Sequence, residues 1–215
     1  MSILKGVGVA LITPFNEDLS VDFDALTRLI EYNITNGTNY LVVLGTTAEA
    51  ATLSKEEKQE VIKHVIKVNN KRLPLVLGIG GNNTLEVKKQ IEEADLSDFE
   101  AVLSVSPYYN KPNQEGLYQH YKALAETGKK IIIYNVPGRT GQNVEASTTV
   151  RLANDFPNLF MIKEACPNIN QYFDILRKKP AGFSLVSGDD EFTLPVTLAG
   201  GDGVISVIGQ GYPKE

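Results

Sequence analysis

A lysine closes a short apolar run in Phe160-Met161-Ile162-Lys163-Glu164-Ala165. Leu159 to Ile162 reads as a buried strand, because the run is short, continuous and without helical period. Lys163 therefore sits where that strand leaves the core. Burying an unpaired ammonium is costly and depresses its pKa, and a lysine held toward neutrality attacks carbonyl carbon and forms Schiff bases. A strand-end lysine alone would more often snorkel to solvent. Its companions change that reading. Thr46 and Thr47, after Gly45, offer hydroxyls and backbone N–H groups to a carboxylate, and Tyr108 and Tyr109 end another apolar run. Tyr134 ends a further one, with Arg139 close behind, and Gly188 and Ile205 fall at two more strand ends. Together they supply a nucleophile, phenols to carry protons, a hydroxyl relay and a cation. That set suits Schiff-base chemistry on a 2-oxo acid, with Lys163 attacking the ketone and Tyr134 moving protons during carbinolamine loss and enamine formation. Arg139 can take a second carboxylate in bidentate fashion.

Eight strand-like runs must position these groups: Val7–Ile12, Tyr40–Leu44, Pro74–Ile79, Ala101–Val105, Ile131–Tyr134, Leu159–Lys163, Phe183–Val186 and Gly203–Val207. Their apolarity is continuous rather than alternating, which indicates parallel strands buried on both faces. Helix-length segments separate most of them. One is expected to be capped by Ser20, with Leu26, Leu29 and Ile30 on one face. Another opens at the capping box Ser54-Lys55-Glu56-Glu57 and turns Val61, Val65 and Val68 inward, with His64 on its polar side. A further helix is expected from about Gln114 to Glu126. The pattern predicts an α/β protein, a single (β/α)8 barrel over residues 1–215 with its active site at the C-terminal ends of the strands. Gly78-Ile79-Gly80-Gly81 lacks the full dinucleotide fingerprint and its acidic residue, so an open nucleotide-binding sheet is disfavoured. Little sequence follows the eighth run, so the barrel is expected to lack its eighth helix and to leave an outer face uncovered near the first and last strands.

Composition narrows the function classes. Lys plus Arg number 21 against 26 Asp plus Glu, a net charge of −5 with no basic run, which argues against nucleic acid or an anionic membrane as partner. No apolar run approaches the ~20 residues of a membrane span, and the segment Val7–Phe15 lacks the flanks of a signal peptide. Cys166 is the single cysteine, which fits a reducing compartment, and His64 and His120 have no partner at metal spacing. The expectation is a cytoplasmic protein without a metal or other cofactor.

Four stretches carry a family resemblance: Gly45-Thr46-Thr47-Ala48-Glu49, Ser106-Pro107-Tyr108-Tyr109-Asn110-Lys111-Pro112, Tyr134-Asn135-Val136-Pro137-Gly138-Arg139-Thr140-Gly141 and Ile162-Lys163-Glu164-Ala165. They resemble the dihydrodipicolinate synthase family, which belongs with N-acetylneuraminate lyase among the pyruvate-dependent class I aldolases. The resemblance runs from Gly6 to Val207. It implies condensation of pyruvate with L-aspartate-4-semialdehyde on the route to diaminopimelate and lysine, with no cofactor beyond a Schiff base on Lys163. It also implies Tyr134 as the proton-transfer phenol, linked through Thr46 to Tyr109, and Thr46 and Thr47 as holders of the pyruvate carboxylate. Arg139 would receive the aldehyde's carboxylate, and Gly188 and Ile205 would line the pocket with backbone groups. Tyr109 would be lent across an interface in a homodimer or homotetramer.

Arg139 and the two threonines favour the synthase pattern over the lyase pattern. The alternatives are another pyruvate aldolase, such as one acting on a 2-keto-3-deoxy sugar acid, and a non-catalytic fragment or binding protein. Ala50, Lys55, Asn82, Glu86 and Tyr108 match or neighbour the positions that bind lysine in feedback-inhibited relatives, and Lys55 in place of a histidine predicts partial or weak inhibition. Ala48 stands where the family has glycine. A positive φ there would cost about 1 kcal/mol. Cys166-Pro167 replaces the family's Thr-Gly.

Overall fold

The computed structural model describes residues 4–214. Eight strands, β1 (Gly6–Ala10), β2 (Tyr40–Val43), β3 (Leu75–Gly78), β4 (Ala101–Val105), β5 (Ile131–Asn135), β6 (Leu159–Glu164), β7 (Ser184–Ser187) and β8 (Gly203–Ser206), pair in chain order. All are parallel, and β8 returns to pair with β1, so the sheet closes into a barrel. Eight helices accompany them: α1 (Phe23–Thr35), α2 (Lys55–Asn69), α3 (Thr84–Glu93), α4 (Gln114–Ala125), α5 (Pro137–Thr140), α6 (Ala146–Asp155), α7 (Ile169–Lys178) and α8 (Thr193–Leu198). The expected (β/α)8 barrel forms; α5 and α6 both fall between β5 and β6, and among the described residues only a 3-10 turn follows β8.

Successive strand residues point to opposite sides, and this alternation sorts the apolar residues into layers. Ala10, Tyr40, Val42, Val76, Leu103, Ile132, Met161, Val186 and Ile205 fill the barrel interior. Val9, Leu41, Val43 and Leu77 face outward under Leu26 and Ile30 of α1 and Val61 and Val65 of α2. Ile131, Ile133, Ile162 and Leu185 face outward under Leu117 and Tyr121 of α4, Leu152 of α6 and Tyr172 and Ile175 of α7. Full burial of side chains of this size is worth about 1.5–3 kcal/mol each, so both layers hold the strand ends that carry the polar residues.

Some local expectations shift. Asp22, not Ser20, caps α1, its side chain accepting from the Ala25 N–H, while Ser20 bonds to Asp18 in the preceding turn. The Ser54 capping box forms as expected. His64 is not on a polar face. It is half-buried between α1 and α2, bonded to Thr27 Oγ1 at 2.8 Å and packed on Phe23. The described residues after β8 make a 3-10 turn at Ile208–Gln210, which packs on β1. β8 is buried along its length, and the exposed apolar side chains in this region are Leu194 and Leu198 of α8 with Val207, Ile208 and Tyr212.

Candidate active site

Lys163 lies on the inner side of β6, 2 % exposed, directly across the ladder from Tyr134 of β5. Its Nζ is 4.3 Å from the centre of the Tyr134 ring. Burial holds the ammonium below its ordinary 10.5; the Tyr134 oxygen opposes that shift, Arg139 adds to it and Asp190 opposes it. No carboxylate forms an ion pair with Lys163 among the described residues. A lysine so placed has a larger neutral fraction, which is the nucleophilic form.

Tyr134 is held from two sides. Its hydroxyl meets Thr46 Oγ1 at 3.2 Å, either atom being able to donate, and its backbone C=O accepts from the Ser106 N–H at 3.0 Å. Thr46 owes its position to an unusual chain path. Leu44, just past β2, adopts a left-handed φ of 55°. A Cβ on Gly78 of β3 would lie 2.2 Å from the Leu44 carbonyl oxygen, so only glycine leaves room for that path. The chain then enters a 3-10 turn at Thr46–Ala48, and Glu49, at φ 54°, takes the left-handed position that closes it. Ala48 thus carries no positive φ and no strain cost. It is buried, and its C=O accepts from the Thr13 hydroxyl at 2.8 Å. In sequence Gly78 stands out only as part of a glycine-rich run and Thr13 not at all, because the role of each lies in a contact with a segment distant in the chain.

Gly188, after β7, is the other tight point. A Cβ there would fall 2.9 Å from Lys163 Cγ, Lys163 Cε and Ala165 Cβ, so its bare backbone makes room for the lysine side chain. Its N–H donates to the Glu164 C=O at 2.6 Å. Ile205 is fully buried in the barrel interior beneath the same end. Asp190 secures the β8 end: its carboxylate accepts from Ser206 Oγ at 2.5 Å and from the Val207 and Ile208 N–H groups at 3.0 Å.

The remaining expected residues occupy the rim. Arg139 lies on α5, exposed, near enough to Lys163 to depress its ionisation. Tyr109 is 88 % exposed at φ 72°, with Lys111 also at positive φ, and no hydrogen bond joins its phenol to Thr46 among the described residues. Thr47 is half-buried. Asn82 accepts through its C=O from Asn110 Nδ2 at 3.1 Å, which ties the β3 and β4 loops together. Glu86 sits in the first turn of α3, Lys55 opens α2, Ala50 follows Glu49, and Tyr108 is partly exposed. Surface clefts of about 380 and 530 Å³ lie at the opposite end of the barrel, around Pro74, Glu100 and Lys130, and hold none of these groups. Among the described residues no His, Cys, Asp or Glu cluster has metal-binding geometry, and no helix is long and apolar enough to cross a membrane.

Comparison with known proteins gives the closed parallel barrel its family. The Dihydrodipicolinate synthetase family model matches residues 3–215. The chain belongs to that family. The 4-hydroxy-tetrahydrodipicolinate synthase of Flavobacterium psychrophilum is 58 % identical, over 100 % of this chain and 74 % of its own length. The dihydrodipicolinate synthase of Thermotoga maritima superposes with a TM-score of 0.94 at 41 % identity, over 99 % of this chain and 73 % of that one. A chloride-inhibited family member from Acinetobacter baumannii, complexed with pyruvate, gives 0.93 at 43 % identity, with the same two coverages of 99 % and 73 %.

Proposed function

We propose that this chain is a lyase that condenses pyruvate, bound as an imine on Lys163, with L-aspartate-4-semialdehyde to give 4-hydroxy-tetrahydrodipicolinate for diaminopimelate and lysine synthesis. The activity is that of its curated family relatives. The observation that supports the residue assignment is the buried Lys163 beside Tyr134, with Thr46 on the phenol.

Neutral Lys163 attacks the ketone carbon of pyruvate, whose carboxylate is taken by the Thr46 and Thr47 groups. Tyr134 donates the proton that lets the carbinolamine lose water, and Thr46 passes protons to and from the phenol. Loss of a proton from the pyruvate methyl gives the enamine. Its carbon attacks the aldehyde of the second substrate, while Arg139 holds that substrate's carboxylate. The product's own amine then displaces Lys163 from the imine carbon, closing the ring and freeing the lysine. Gly188 and Ile205 line the pocket through their backbones.

The barrel, taken as one unit, works in the cytoplasm as a homodimer or homotetramer, with Tyr109 reaching a neighbour's Thr46. Its exposure and left-handed backbone support that role. Lysine acts at most as a partial inhibitor at Ala50, Lys55, Asn82, Glu86 and Tyr108. The deciding experiment is pyruvate with borohydride, followed by intact mass and peptide mapping. A stable adduct on Lys163 is expected; a folded sample without one removes the assignment.

A further inference from the structure

Behind the reactive pair, on the outer side of the same two strands, lies a buried polar cluster that the chemistry above does not use. Asn135 and Glu164 are the next residues along β5 and β6 and are also register partners. Both are fully buried. Glu164 Oε1 accepts from Asn135 Nδ2 at 2.7 Å and from the Cys166 N–H at 2.8 Å; Oε2 accepts from Gln171 Nε2 of α7 at 2.9 Å. Asn135 Nδ2 and Gln171 Nε2 also donate to Asn143 Oδ1, and Asn143 Nδ2 donates back to Gln171 Oε1. The Val144 N–H donates to Asn135 Oδ1. These donors and acceptors fix the orientation of all three amides, with the carboxylate as the acceptor on which their chains end.

A fully buried carboxylate without a cation is costly, and its position gives it a use. Its backbone C=O receives the Gly188 N–H, and the Ala165 N–H donates to the Asn135 C=O. Asn143 and Val144 belong to the segment that follows Arg139. We infer, on the Schiff-base reading given above, that Glu164 is a positioning residue. With Asn135, Asn143 and Gln171 it locks the ends of β5 and β6, so that Tyr134 meets Lys163, and anchors the Arg139 segment to the same point. Burial pushes the Glu164 carboxyl up to about 7. The titratable groups facing it are Tyr121 from α4, Tyr172 from α7 and Cys166, and Lys163 precedes it in the chain.

Glu164→Gln keeps the shape but sets an amide donor against donors. Borohydride trapping of the pyruvate imine on wild-type Lys163 comes first, and its failure would remove the Schiff-base reading rather than this one. In a Glu164→Gln variant with a wild-type circular dichroism spectrum, the rate of trappable imine formation is expected to fall roughly tenfold or more. A step near pH 7 in the wild-type rate profile should vanish with it. Wild-type rates and an unchanged profile would overturn the inference. If that variant does not fold, Asn143→Ala decides, since it leaves the carboxylate its three direct donors. It should slow imine formation about threefold and raise the semialdehyde KM; wild-type values for both would be the contrary result.

Discussion

Tyr134 and Lys163 face each other across the β5–β6 ladder, with the lysine nitrogen 4.3 Å from the ring centre. A cation at that distance gains from the ring face, about 2 kcal/mol when desolvated, whereas proton transfer needs the phenolic oxygen. Tyr134→Phe separates the two. The pyruvate adduct on Lys163 should still form but more slowly, because the phenol protonates the departing carbinolamine hydroxyl, and kcat should fall about 10²–10³-fold. Time-resolved intact mass and steady-state kinetics together check this, and an adduct formed at the wild-type rate would remove the phenol from carbinolamine loss.

Gly188→Ala tests the crowding around the lysine. The added methyl meets Lys163 and Ala165 atoms at 2.9 Å, closer than carbon atoms pack. Overpacking of this kind costs about 1–3 kcal/mol. Imine formation should slow by about tenfold, because the side chain that must move is the reacting one. Stopped trapping at successive times measures it.

Arg139→Ala should raise KM for the semialdehyde by at least about tenfold, the loss expected for a charge-assisted pair, and leave the pyruvate KM within about twofold. Arg139 is exposed, so its removal leaves no cavity. Equal changes in both constants would assign it to the pyruvate half-reaction instead.

Stability should carry the mark of Glu164. Its folded carboxyl sits at about 7 against an ordinary 4.5, so between those values the folded protein keeps a proton that the unfolded chain releases. Stability from this group is therefore complete below about pH 4.5 and lost as pH rises through 7. The amount is about 3 kcal/mol, at ~1.4 kcal/mol per pH unit. His120, buried neutral and held at about 4, works the other way: its contribution falls away as pH drops from 6.5. The difference in urea midpoint between wild type and Glu164→Gln, followed from pH 4.5 to 7, isolates the carboxylate. A constant difference would contradict the assignment.

Much of this architecture is readable in advance because the strands are continuous apolar runs and Lys163 ends one of them. Residues whose roles come from crossing partners are not. Glu164 reads as an ordinary acid beside a lysine until the ladder shows it turned to the other side of β6, facing Asn135. Gly78 matters only through the carbonyl of Leu44, more than thirty positions away in the chain. Ala48 looked strained because the family has glycine there, yet the left-handed position falls on Glu49, one residue later. Ser20 lost the cap of α1 to Asp22, two positions on, which a local pattern does not separate. Pro137–Thr140 reads as a loop and forms the short helix α5.

The doublets Tyr134-Asn135 and Lys163-Glu164 leave this enzyme no tolerance for sliding. Because side chains alternate along the regular ladder from Met161 to Glu164, one residue gained or lost between Met161 and Lys163 would swing the amine out among the helices and drop the acid into the barrel mouth. An ammonium would then lie among amide groups oriented to donate, and a carboxylate would confront the substrate's own negative charge. Binding and folding would fail together. The spacing between the two strand ends is thus under a stricter constraint than the identity of most residues between them.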